Sequence, residues 1–151
     1  MSTSPAVERT SEGPGSRRAG YVVAIAVNAV MLWVVHRLLD WGWPRFLTAD
    51  FEELVPIISF SLVASILVNA VYVIWDRGAV RPAGDLLTAV IGVVVTVRTY
   101  QVFPFDFSTY SRDWTTLARI VVILGIVGTS IAVLVNGIRL LRALGERTAQ
   151  M

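Results

Sequence analysis

Four long apolar stretches separated by short polar connections organise this chain. They cover residues 21–39, 54–75, 86–105 and 120–138. The second and fourth hold no charged residue, and the third is broken once, by Arg98. A hydrocarbon core about 30 Å thick takes about 20 helical residues at ~1.5 Å each, and every stretch meets that length. None alternates apolar with polar residues, so strands fit poorly, and an open sheet would leave its backbone groups unpaired in lipid. The pattern predicts an all-α fold, a four-helix transmembrane bundle with helices at about 21–39, 54–75, 86–105 and 117–140. Residues 1–19 are small and polar without an apolar period, which predicts a disordered tail. The transmembrane domain is expected over 20–142, with a second short tail over 143–151.

Within the apolar stretches the small and hydroxylic residues fall on single faces. Ser61, Ser65 and Asn69 recur every four residues in the second. Thr88, Gly92, Thr96 and Thr99 recur at steps of four, four and three in the third, and Gly125, Thr129, Ala132 and Asn136 at steps of four, three and four in the fourth. Ala24 and Asn28 begin such a face in the first. Lipid supplies no hydrophobic force between helices, so close approach of small residues must join them. A pair of similar segments, 67–71 and 134–138, hints at a duplicated hairpin, although apolar sequences match easily by chance.

Charge then orients the helices. Arg9, Arg17, Arg18, Arg77, Arg81, Arg139, Arg142 and Arg147 lie in the two tails and the second connection. The first and third connections are richer in Asp and Glu. Arginine-rich sides stay in the cytoplasm, so both termini are expected there. Arg17-Arg18 superficially resembles a twin-arginine export signal, but Ala19-Gly20 follows and no cleavage site closes the next apolar run; the two read as anchors of the first helix. Aromatics crowd the opposite side: Trp41, Trp43, Phe46 and Phe51, then Phe103, Phe105, Phe107, Tyr110 and Trp114. They read either as an interfacial belt or as an aromatic surface that receives a lipid or a partner.

Composition narrows the chemistry. There is no cysteine, one histidine (His36) and no lysine among 13 basic residues. Thiol chemistry, cysteine-held metals and a bis-histidine haem of this chain alone are excluded. Arginine without lysine suggests a GC-rich bacterial genome, and hence a bacterial plasma membrane. A net charge of +2 spread over membrane flanks gives no nucleic-acid footprint. No Asp or Glu falls inside the four stretches, where proton-coupled transporters usually carry one. No phosphate loop, metal cluster or nucleophile–base pair can be assembled, so no cofactor is expected and enzymatic activity is not.

The candidate intramembrane polar residues are Arg98, His36, Asn28, Asn69 and Asn136. Arg98 cannot lose its charge, and at a helix centre it costs roughly 2.5–3.5 kcal/mol to insert. It therefore snorkels to the headgroups, pairs with Asp106, Asp50 or Glu53 on the same side, or binds an anion. His36 lies at a similar depth to Arg98, Tyr100 and Gln101, either as an interfacial polar residue or within a proton-handling cluster. The three asparagines read as interhelical hydrogen-bonding groups or as a polar path, with Asn28 and Asn69 expected to face each other.

The segments Phe46-Leu47-Thr48-Ala49-Asp50-Phe51-Glu52, 97–107 and Thr116-Leu117-Ala118-Arg119 resemble those of small uncharacterised four-helix membrane proteins of actinobacteria. The resemblance implies the same topology over residues 20–142. It carries no activity and no functional residue. The expected role is that of a non-catalytic accessory or scaffold subunit of a membrane system, with membrane lipids, other membrane proteins or copies of itself as partners. The alternative is a transporter or channel subunit with a polar path near Asn28, Asn69 and Arg98.

Overall fold

The computed structural model describes residues 14–75 and 78–148. It contains four α-helices: α1 Pro14–Arg37, α2 Val55–Ile74, α3 Val80–Val102 and α4 Thr115–Thr148, with a short 3-10 turn Ala49–Glu53 leading into α2. Each α-helix is long enough and apolar enough to cross a membrane. At most 6% of any of these stretches is buried inside the chain. Water would penalise so much exposed apolar surface heavily, whereas a hydrocarbon solvent does not.

The helix ends differ from the sequence expectation in a consistent way. α1 begins at Pro14, inside the expected tail, and α4 runs to Thr148, inside the other. α3 starts at Val80, six residues before its apolar stretch. Hydropathy registers only the part of a helix that faces hydrocarbon. At the end of α4, Arg, Ala, Leu and Glu have good helix propensity and carry the helix on, while Pro14 and Pro82 stand in the first turns of α1 and α3, where proline is tolerated. The rest of the expected amino-terminal tail, 1–13, lies outside the described residues, as do 149–151.

Local chemistry sets the remaining boundaries. Pro56 stands in the first turn of α2 and Pro82 in that of α3, where a missing N–H costs nothing. α3 stops at Phe103, which adopts a left-handed conformation (φ 43°, ψ 66°), and Pro104 then forbids continuation. A left-handed phenylalanine is strained, so its surroundings must hold it. The Arg119 guanidinium lies 4.7 Å from the centre of its ring, and Phe105 packs edge-on at 5.4 Å. The Asp113 carboxylate accepts the Thr115 N–H at 2.8 Å and caps the start of α4.

The helices form an open row. Among the described residues α1 packs on α2, α2 on α3 and α3 on α4, while α1 and α4 do not touch. The expected small-residue faces of α3 and α4 do meet. A Cβ added at Gly92 would lie 3.3 Å from the Thr129 methyl, and one at Gly125 would lie 3.5 Å from that of Thr96. The Thr96 and Thr129 hydroxyls stand 3.4 Å apart, but each already lies within hydrogen-bonding distance of a carbonyl one turn back in its own helix. Close packing rather than interhelical hydrogen bonding therefore joins this pair.

The two ends of the row are built differently. One end, here the loop end, carries residues 38–54 and 103–114. There the Thr48 N–H donates to the Pro104 carbonyl at 2.9 Å, and the Asp106 N–H to that of Phe46 at 2.7 Å. Leu47 and Phe105 form an antiparallel bridge between them. Phe46 stacks on Phe107 at 5.3 Å and touches Phe105 at 6.2 Å. Beneath this lid Val35, Phe51 and Leu54 form a buried plug. Part of the expected aromatic belt is thus a packed lid, while Trp41, Trp43, Tyr110 and Trp114 stay exposed. The other end, here the terminal end, holds the start of α1, the end of α2, the start of α3 and the end of α4.

Candidate functional site

At the terminal end one tyrosine joins α1, α2 and α3, and α4 reaches it through Asp85. Tyr72, near the end of α2, is 4% exposed. Its hydroxyl lies 2.8 Å from the Arg81 carbonyl and 2.9 Å from Asp85 Oδ1, both on α3. It has one proton to donate, so the two acceptors share it. Asn136 of α4 donates from Nδ2 to the Asp85 carbonyl, a long bond at 3.4 Å. Tyr21 of α1 packs against the Tyr72 ring with centroids 5.3 Å apart.

Gly84 makes this junction possible. A Cβ there would fall 2.8 Å from Val68 Cγ1 and 2.9 Å from Tyr72 Cζ, closer than any real side chain sits. Glycine lets the first turns of α3 lie directly on the tyrosine. Beside this contact α2 and α3 leave an apolar groove of about 430 Å³, walled by Leu67, Val71, Val80, Ala83 and Leu87.

Tyr72 and Asp85 are site residues that sequence reasoning missed. Tyr72 sits inside an apolar stretch, and Asp85 falls one residue before the third of those stretches. The step-of-four pattern Gly84, Thr88, Gly92, Thr96 runs one turn further back than the expected face, and following it would have placed Asp85 on a helix.

The sequence-predicted candidates fall elsewhere. Asn136 joins the junction, but Asn28 donates at 2.7 Å to the Ala24 carbonyl and Asn69 at 2.8 Å to that of Ser65. Both amides bond along their own helices, a local partner always within reach, so the expected Asn28–Asn69 pairing is replaced by two separate bonds. His36 Nδ1 donates to the Leu32 carbonyl at 2.8 Å. Because α1 does not contact α3 among the described residues, His36 forms no cluster with Arg98, Tyr100 and Gln101.

Arg98 reaches along its own helix and not to the acidic residues named as candidate partners. It lies on an exposed stripe of α3 with Leu87, Val90 and Val94, and Nη1 donates to Gln101 Oε1 at 3.3 Å, one turn nearer the loop end. Its expected acidic partners are engaged otherwise or apart from it. Asp106 accepts the Ser108 N–H at 2.8 Å, Asp50 accepts from the Thr48 hydroxyl at 3.3 Å, and Glu53 is exposed. Among the described residues none of the three lies within ion-pair distance of Arg98, whereas Arg37 and Asp40 pair at 3.5 Å. A long side chain reaching along its helix toward the membrane surface avoids the desolvation that an inward pair would demand.

Among the described residues no three His, Asp or Glu side chains come together as metal ligands. No protein-family model, curated protein or solved structure matches the chain. Among the described residues the arrangement holds a helix junction, an apolar groove and an aromatic lid.

Proposed function

We propose that this chain is a non-catalytic, four-span membrane protein with both termini in the cytoplasm, and that it serves as a small accessory or scaffold subunit of a larger membrane assembly. The open row of helices carries the reading. α1 and α4 each pack on a single neighbour, which leaves their other faces free for a partner subunit. Most polar side chains of the spans bond to carbonyls of their own helices. Asn28 and Asn69 satisfy their own helices, which gives a polar path past them and Arg98 little support.

Purification from native membranes in mild detergent, with cross-linking and mass spectrometry, tests the role. A membrane protein recovered at fixed stoichiometry and cross-linked through α1 or α4 is the expected result. Solute or ion flux through vesicles holding the purified chain alone would overturn it. Orientation is tested with introduced cysteines in intact cells. Ala49→Cys and Ser108→Cys should react with an impermeant thiol reagent, and Gly78→Cys and Thr148→Cys should not; the reverse pattern inverts the topology.

A further inference from the structure

We propose that the groove between α2 and α3 is a lipid site that takes one acyl chain of a phospholipid whose anionic headgroup is held by Arg81. Leu67, Val71, Val80, Ala83 and Leu87 wall the groove, and Leu67 and Leu87 are 61% and 52% exposed. Apart from Tyr72 its lining is hydrocarbon, and the Tyr72 hydroxyl is already engaged by α3. An apolar chain thus enters without stranding a polar group.

The dimensions favour a lipid over a protein. From Val80 to Leu87 the groove follows α3 for about 10 Å at ~1.5 Å per residue, too short to seat a membrane-crossing helix. It runs along the helix axis, from the terminal end into the apolar span, as an acyl chain does. Its volume of about 430 Å³ lies within the range of small-molecule sites.

The mouth supplies the charge. Arg81 is exposed, follows the wall residue Val80 directly, and makes no ion pair among the described residues. Asp85 lies one turn on, but its carboxylate meets the Tyr72 hydroxyl rather than the Arg81 guanidinium. The guanidinium is left for an anion, and a phosphodiester with a net negative headgroup matches its planar donors. The Tyr72 junction fixes the spacing of the two walls, so the groove is formed before the lipid arrives.

The test uses the full chain in non-ionic detergent, offered equal amounts of phosphatidylglycerol and phosphatidylcholine and read by native mass spectrometry. One basic group near a lipid surface gives about a fivefold preference for the anionic lipid. Arg81→Gln should abolish that preference, and Arg142→Gln, on the far part of α4, should leave it unchanged. Leu87→Trp should fill the groove and lower retention of both lipids. If that variant does not fold, Leu67→Phe narrows the same groove from α2. The proposal is overturned if Arg81→Gln keeps the preference, or if groove-filling variants hold phosphatidylglycerol as wild type does. It is equally overturned if those variants disperse a dimer, which would make a second copy the occupant.

Discussion

The loop end and the terminal end of the molecule are joined by opposite means. At the loop end two connections cross-link through backbone hydrogen bonds and stacked rings, over a plug in which Leu54 is 1% exposed. At the terminal end a single tyrosine hydroxyl and a single glycine bring α2 and α3 together. Irregular backbone can be used freely at the first, where it sits at the membrane surface. The second lies within helices, whose backbone groups are already paired, so side chains and missing side chains do the joining. The loop end therefore rests on many contacts laid over one buried plug, and the terminal end on a few atoms.

Substitutions that sharpen this contrast can be ranked. Leu54→Ala empties the plug and should destabilise most, by about 2–5 kcal/mol in a detergent unfolding titration. A loss below 1 kcal/mol would mean that the plug does not anchor the loop end. Gly84→Leu forces α3 off Tyr72 and should cost about 1–3 kcal/mol, with the loss of α2–α3 cross-links and not of α1–α2 ones. Tyr72→Phe removes the hydroxyl and keeps the ring, and should cost about 0.6–1.7 kcal/mol, typical of hydrogen bonds between membrane helices. Combined with Asp85→Ala the loss should be less than additive; strict additivity would show that the two groups do not interact.

Two changes should have still smaller effects. Arg98→Leu should be neutral or slightly stabilising, because it relieves an insertion cost and breaks only the contact to Gln101. Markedly lower thermal stability in detergent would give Arg98 a folding role. Acid comes last. The Ser108 N–H holds Asp106 below the ordinary aspartate value of 3.8, and Thr115 holds Asp113 there likewise. The folded state thus favours the charged carboxylates. Their contribution is present above the unfolded value and is lost as pH falls through the folded one. Trp114 fluorescence should report loosening of the lid below about pH 4, and Asp113→Asn should flatten that response. An unchanged acid profile in this variant would remove Asp113 from the account.

The sequence predicted the four helices because each needs a long apolar stretch and the hydrocarbon thickness fixes its length. It also marked the small-residue faces of α3 and α4, which meet at Gly92, Thr96, Gly125 and Thr129, but not which helices would pair. The junction was less legible. Tyr72 looks like one more apolar-stretch aromatic until a partner nine or 13 residues on is known. The partners of Arg98 were misjudged because counting charges on one side ignores which helix face carries them. Its neighbours along the stripe, Val90 and Val94, face outward with it. The asparagines illustrate a competition that spacing alone does not resolve, since a carbonyl one turn back is always available.

The length of α4 has one further consequence. Its 34 residues extend about 51 Å, against a hydrocarbon core of about 30 Å. The apolar stretch ends at residue 138, so about 15 Å of continuous helix, through Arg139, Arg142 and Glu146 to Thr148, stands beyond the hydrocarbon. Leu141 on this segment is 71% exposed. The segment is a stiff post rather than a flexible tether. Whatever binds along it is held at a set distance from the bilayer, and turns with the helix below it.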